Sequence, residues 1–354
     1  MVTRSVTSAE IDLEIGVDNA GIWIGQNGVR RSHSLLPQPI TVNTTRHFFQ
    51  IATAVSHPSP SRRAAKEVLP RSYPRGMSYS FYVRAPRPRW SDVTEGLGFA
   101  DLRCVEDAPL GTVAWPDGFF HFYRDGISTR SVEVCWENGS FQTRVMTCST
   151  TEEYELALAM VCRVASIARA NIRSEEGVEF APEDAARVFG PDWVEQMVGS
   201  GFRALAAIAE REGEVHLSGP RRPFVMGRRL LSELRAGASE TLFGLRTLAA
   251  MRRLQYVDTE EDYFAASTMA VRDKSSGREF TLAAWAPGVR YLFAPVEYLA
   301  LVTADQLLVR YERLAELAGP RLRWLDEQHA LVEEIPDEEW DALVARARQY
   351  EAHP

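Results

Sequence analysis

The sequence predicts an α+β fold in which antiparallel hairpins pack against helices, and three observations lead to this prediction. Alternating polar and apolar residues flank Asn138-Gly139, a dipeptide typical of tight two-residue hairpin turns. A capping-box pattern then opens a helix with one apolar stripe. Hairpins followed by helices, without regular strand–helix–strand alternation, favour α+β over a doubly wound sheet.

The composition is that of a globular chain of one or two domains. Of the 354 residues, 45% are hydrophobic, which is enough to build a substantial core. The apolar run over residues 156–170 contains Arg163 and Arg169, so no membrane-spanning segment is expected. Residues 1–16 lack the apolar stretch of a secretory signal.

The charge balance is acidic and almost free of lysine. The formal net charge is −8, and such a chain repels nucleic-acid backbones, so nucleic-acid binding is not expected. Only Lys66 and Lys274 are lysines among 40 basic residues. The bias is typical of a GC-rich bacterial genome; the alternative is a functional choice of guanidinium groups for bidentate contacts with anions.

Residues 1–76 are interpreted as an appended or poorly ordered segment ending in a linker. Two short apolar runs, 11–17 and 22–24, are able to pair as a small hairpin. Residues 56–76 are rich in Pro, Ser and Arg, a composition typical of a linker. An equally weighted alternative is that translation starts at Met77, where an alternating strand begins.

A first α+β domain is predicted for residues 77–212. Strands are expected at 79–83, 102–105 and 112–115, and hairpin strands at 119–123, 132–136 and 141–148. Residues 149–152 form the capping-box pattern before an amphipathic helix. Further helical segments are expected at 90–97, 182–189 and 192–211, and Gly199 with Gly201 predicts a bend or break in the last.

A second α+β domain is predicted for residues 213–354. Helices are expected at 228–235 and 240–253, a hairpin at 263–272 and 278–285, and strands at 298–302 and 322–325. Residues 303–306 are read as the cap of a helix that ends near Gly319-Pro320, and a last helix starts at Asp337. A hairpin followed by a long helix therefore occurs twice, which is compatible with two similar halves.

Motifs that would fix a reaction are absent from the sequence. Gly199 and Gly201 imitate part of a dinucleotide-binding fingerprint, but no strand precedes them. Phosphate-loop, H-E-x-x-H and G-x-S-x-G patterns do not occur. No C-x-x-C or histidine pair has metal-ligand spacing, so the sequence predicts no metal site and no cofactor.

His121 and Cys135 are the candidate reactive residues. His121 lies on a predicted strand, on the face of Phe119 and Tyr123, where a histidine is ordinarily a hydrogen-bonded strand residue. The sharper hypothesis pairs it with Cys135 as a nucleophile. The four cysteines are widely spaced and are expected to be free thiols in the reducing cytoplasm.

An arginine cluster is the candidate binding site for an anion or a partner. Arg221, Arg222, Arg228 and Arg229 lie around the predicted start of a helix, where guanidinium groups can hold phosphate or carboxylate. The competing interpretation is that these arginines form ion pairs with the surplus of acidic side chains.

The sequence favours a non-catalytic cytoplasmic protein that binds a macromolecular partner. The expected partner is another protein, in a regulatory or immunity-type role, because no nucleophile, metal or nucleotide motif is organised. The alternative is an enzyme or sensor for a small phosphorylated anion held by the arginine cluster, with His121 or a cysteine as its reactive group. The sequence leaves the oligomeric state open.

Overall fold

The structure, a computed structural model, describes residues 14–18, 21–25, 78–106, 115, 117–273, 276–303 and 307–353. The chain divides into a first unit, Ser59–Tyr256, and a second unit formed by Met1–Pro58 and Val257–Pro354. Both contain helices and sheets, so the predicted α+β class is confirmed. The boundary predicted between residues 212 and 213 falls inside the first unit and stays a prediction. The predicted linker at 56–76 lies outside the described residues.

The short hairpin that the sequence allows within residues 1–76 is present. Strands β1 (Glu14–Asp18) and β2 (Gly21–Gly25) pair antiparallel, with Asp18 opposite Gly21.

The first unit contains a seven-stranded sheet whose neighbouring strands are all antiparallel. In spatial order the strands are β4 (Leu102–Cys104), β5 (Phe119–Arg124), β6 (Val132–Glu137), β7 (Ser140–Met146), β3 (Ser78–Arg84), β8 (Ile172–Ser174) and β9 (Glu179–Phe180). The predicted turn joins β6 to β7, with Asn138 and Gly139 at φ values of 52° and 75°. Of the strand predicted at 112–115, only Trp115 is described, and it lies outside the strands.

A long helix covers one face of this sheet. Helix α2 (Thr151–Ala168) follows β7, and α1 (Trp90–Thr94) precedes β4. The buried face of α2, including Leu156, Met160 and Val164, packs with alternate residues of the strands in one core. The predicted capping box is displaced by one residue, because Thr150 is the N-cap and Glu153 supplies the carboxylate.

The rest of the first unit is mainly helical. Its elements are a 3₁₀ turn (Pro182–Asp184), α3 (Ala185–Val188), α4 (Pro191–Glu212), β10 (Glu214–Leu217), β11 (Phe224–Gly227), α5 (Arg228–Arg235) and α6 (Glu240–Glu260). Strands β10 and β11 pair antiparallel, and α6 crosses the unit boundary.

The predicted break in α4 is wrong, because the helix is continuous through Gly199 and Gly201. Close packing explains the glycine at position 201, because an added Cβ would lie 2.9 Å from the backbone nitrogen of Cys148. The glycine therefore permits a close approach and does not interrupt the helix.

Two four-stranded sheets form the second unit. The first has the order β12 (Phe264–Ala265), β15 (Tyr291–Phe293), β19 (Ala330–Val332) and β18 (Leu322–Trp324). The second has the order β13 (Met269–Arg272), β14 (Glu279–Trp285), β16 (Tyr298–Leu301) and β17 (Leu307–Arg310). The predicted hairpin is β13–β14, whereas β12 joins the other sheet. The pairs β12–β15 and β14–β16 are parallel, so the sheets are not built from antiparallel hairpins alone.

The helix predicted between residues 303 and 319 is largely wrong. Residues Leu307 and Val309 are buried while their neighbours are half-buried, a period of two that forms β17 against β16. After a 3₁₀ turn (Tyr311–Arg313), the helix is only α7 (Leu314–Ala318), and a second 3₁₀ turn follows (Gly319–Arg321). The resemblance between the two halves therefore rests on the hairpins.

The second unit closes with the predicted last helix. Helix α8 (Asp337–Ala347), followed by a 3₁₀ turn (Arg348–Tyr350), buries Trp340, Leu343 and Val344 in a core with residues of both four-stranded sheets. Three acidic residues occupy its first turn, where negative charge complements the helix dipole.

Candidate functional site

The open face of the seven-stranded sheet is the side that α2 does not cover. Strand alternation puts alternate residues of β5, β6 and β7 in the core and the others on the open face. Phe119 is an exposed large apolar residue of the open face, at 52%. The open-face residues of these strands include Phe119, His121, Glu133, Cys135, Gln142 and Arg144.

His121 is held by a carboxylate from beyond the edge strand. Its Nδ1 forms a hydrogen bond with Glu106 Oε1, and its backbone N–H donates to the other oxygen of Glu106 at 2.8 Å. The Cys104 thiol also donates to that oxygen, at 3.3 Å. The hydrogen bond to Glu106 raises the pKa of His121, although burial of the ring acts in the opposite direction. Burial alone would raise the pKa of Glu106, but the hydrogen bonds from His121 outweigh it and lower that pKa. The pair is therefore a charged imidazolium–carboxylate pair over a widened pH range.

His121 begins a row of alternating charges across three strands. It lies opposite Glu133 on β6, which lies opposite Arg144 on β7. Arg144 Nη1 is 3.4 Å from Glu133 Oε2. We name Glu106, His121, Glu133 and Arg144 the charge row. Its formal charge is zero when the imidazole is protonated and negative when it is not.

Cys135 shares the open face with His121 but is not activated by it. Cys135 lies opposite Phe119, so it is a diagonal neighbour of His121. The thiol points to Gln142 Oε1 at 3.7 Å, whereas His121 is bonded to Glu106. Burial, with the Glu133 and Glu137 carboxylates, raises the pKa of Cys135 to about 11. A raised pKa disfavours the thiolate, which is the nucleophilic form.

The arginine cluster is engaged mostly in structural contacts. The Arg222 guanidinium donates to the carbonyls of Leu254 and Gln255 in α6, at 3.0 and 2.9 Å. Arg221 stands 5.7 Å from the centroid of the Tyr256 ring, and Arg229 is paired with Glu233 at 3.0 Å.

Arg228 is the exposed member of the cluster. Within the described ranges, no carboxylate lies within 4.0 Å of its guanidinium. The four side chains thus make different contacts, although they are close in sequence.

Sequence reasoning found His121 and Cys135 but missed the groups around them. The Glu133–Arg144 pair could have been derived, because a two-residue turn at Asn138-Gly139 sets the pairing of β6 with β7. The role of Glu106 had no such signal, because it depends on a contact between residues 15 positions apart.

A surface cavity in the first unit is a further candidate place. A surface cavity of about 380 Å³ lies at the end of α2, lined by residues that include Ser166, Arg169 and Glu183. Across the described part of the chain, no three His, Cys, Asp or Glu side chains are grouped so as to hold a metal ion. The helices described are all too short or too polar to cross a membrane.

Comparison with known proteins places the chain in a family. No curated protein and no solved structure matches it. A family model described as "Domain of unknown function (DUF4299)" matches residues 97–282, which is more than half of the chain and includes β5, β6, β7 and the arginine cluster. The chain therefore belongs to the DUF4299 family.

Proposed function

We propose that this chain is a non-catalytic protein that binds another protein through the open face of its seven-stranded sheet. The observation that carries the proposal is Phe119, which is 52% exposed beside the charge row. Binding energy in protein interfaces is concentrated in a few aromatic and arginine side chains surrounded by polar groups. Phe119, with Arg144 nearby on the same face, supplies these residue types.

The state of the candidate reactive groups supports recognition over catalysis. Activation of Cys135 would require a base within hydrogen-bond reach and a lowered pKa. Instead its thiol is directed at an amide oxygen and its pKa is raised to about 11. We propose a cytoplasmic location, since all four cysteines are free thiols. If the partner is an enzyme or a toxin, the role is regulatory or immunity-type.

The experiment compares two equivalent surface substitutions in capture assays. Purified wild-type chain, Phe119→Asp and Leu245→Asp are immobilised and exposed to lysate of the native cells. Leu245 is the matched control because it is also an exposed apolar residue, at 59%, on α6. We expect one stoichiometric protein to bind the wild type and Leu245→Asp but not Phe119→Asp. The proposal is refuted if Phe119→Asp still captures this protein, or if the wild type captures no protein in stoichiometric amount.

A second candidate function is a sensor or enzyme for a small phosphorylated anion, and exposed Arg228 is the observation that favours it. Binding of an anion to the folded state alone would raise the melting temperature. Pyrophosphate serves as the probe, with wild type, Arg228→Ala and Arg313→Ala compared. Arg313 is the control because it is paired with Glu316 in the second unit. A rise in melting temperature that only Arg228→Ala abolishes supports this candidate; no rise in the wild type contradicts it.

A further inference from the structure

The proton on His121 has a fixed place on the ring. Glu106 accepts from Nδ1 and, through its second oxygen, from the backbone N–H of the same residue. Ring orientation and backbone are therefore held by one carboxylate. A carboxylate at Nδ1 fixes the tautomer of a neutral histidine, because only a protonated Nδ1 can donate to it. When the imidazolium loses a proton, the proton leaves from Nε2.

Nε2 is the ring atom available to a ligand. The His121 side chain is 39% exposed, and no hydrogen-bond partner of Nε2 occurs within the described ranges. The groups around the ring are Cys104 on the edge strand β4, Glu106 just after it, Glu133 on β6, Arg144 on β7, and Phe119 and Tyr123 on its own strand. Deprotonation changes Nε2 from a donor into an acceptor and makes the charge row negative.

We infer that His121 Nε2 is a proton-controlled contact of the open face, which recognises a carboxylate or carbonyl acceptor on the partner when protonated and rejects it when not. This inference rests on the proposed function, and it specifies the partner's chemistry. A protonated imidazole donates a charge-assisted hydrogen bond to a carboxylate. A neutral ring with its proton on Nδ1 presents a lone pair to the same oxygen, so the contact becomes repulsive.

Nitrogen-15 NMR of the full-length chain, with acetate as the carboxylate probe, tests this inference. We expect a His121 titration midpoint above its ordinary value of 6.5, and a neutral form protonated at Nδ1. In Glu106→Gln the midpoint is expected to fall. Acetate should shift the His121 ring resonances below the midpoint, and at least about tenfold more weakly above it, since one pH unit corresponds to a tenfold change in protonation.

Gln142→Leu is the matched control, because Gln142 lies on the same face outside the charge row and should leave the midpoint unchanged. A neutral form protonated at Nε2, a midpoint insensitive to Glu106→Gln, or an acetate response equal on both sides of the midpoint overturns the inference. The proposed binding of a protein to the open face is tested independently, because the capture assay with Phe119→Asp does not depend on the titration of His121.

Discussion

Gln255 shows how one buried side chain organises a whole segment of the arginine cluster. Its Oε1 accepts from the backbone N–H groups of Arg221 and Arg222, both at 2.9 Å, and its Nε2 donates to the Arg222 carbonyl at 2.9 Å. Gln255 is completely buried. Its amide therefore makes three hydrogen bonds to backbone groups of this segment. The Arg221–Arg222 turn is thus fixed by α6 and needs no ligand to hold its shape.

Replacing Gln255→Leu is expected to lower the free energy of unfolding by about 2–4 kcal/mol, because it removes three hydrogen bonds between a buried amide and the backbone. The matched control is Gln142→Leu on the open face, where the amide donates to the Ser80 hydroxyl at 3.2 Å and accepts from the Cys135 thiol at 3.7 Å. That change should cost about 1 kcal/mol or less. Denaturant unfolding measures both, and equal losses in the two variants would contradict the role given to Gln255.

The Glu106–His121 pair is expected to make stability depend on pH in a defined window. The pKa of His121 is raised from 6.5, so its contribution is complete below that value and is lost as pH rises through the folded pKa. The pKa of Glu106 is lowered from 4.5, so its contribution is complete above that value and is lost as pH falls through the folded pKa.

The pair therefore stabilises most between the unfolded values of 4.5 and 6.5. In melting curves recorded across pH, wild type and His121→Gln should differ most within this window and converge above and below it. A constant difference at every pH would mean that the His121 charge does not contribute.

At the scale of elements, helix α4 shows two glycines with opposite requirements. Gly199 has only the flexible end of Arg203 near its missing side chain, at 3.6 Å. Gly201 faces the backbone of Cys148, a residue with a φ of 63°. Both lie inside the helix, so the difference between them comes from packing and not from helix propensity.

We expect Gly199→Ala to stabilise the chain by about 0.5–1 kcal/mol, because alanine loses less backbone entropy in a helix. Gly201→Ala should destabilise it by about 1–3 kcal/mol, because its Cβ forces α4 away from Cys148. The two variants are controls for each other in thermal or denaturant unfolding. The packing explanation fails if both substitutions change stability in the same direction.

At the scale of the whole molecule, all four cysteines lie in the first unit, and two are deeply buried. Cys135 is 4% exposed and Cys148 is 2% exposed, while Cys104 and Cys162 are half-buried. Burial also raises the pKa of Cys148 to about 12 and that of Cys162 to about 11. Thiol reactivity is therefore low in the native state and reports on unfolding of the first unit.

Labelling with iodoacetamide, followed by peptide mass spectrometry, should modify Cys135 and Cys148 only at denaturant concentrations that unfold the first unit. Cys104 and Cys162 should react earlier, since they are partly accessible. Rapid modification of Cys135 in native buffer would contradict its raised pKa. It would also revive the hypothesis of a nucleophilic cysteine.

Local sequence patterns predicted many elements because their causes are local. The β6–β7 hairpin depends on the positive φ that Asn138 and Gly139 accept, and α8 depends on its own apolar stripe. The same turn fixes which residue of β7 faces Glu133, so part of the charge row was contained in the sequence. Residues 307–310 show the limit: their short apolar run fits a helix or a strand, and pairing with β16 decides.

The sequence by itself determined the α+β class, the main hairpins, the long helices and the placement of His121 and Cys135 on two separate strands. Tertiary structure decided that the His121 ring is held by Glu106, because that contact joins a residue after β4 to a residue on β5. It likewise decided that Arg222 supports α6 and that Gly201 sits inside an unbroken helix. These contacts join residues that no single local turn brings together, so the spacing of residues along the sequence does not reveal them.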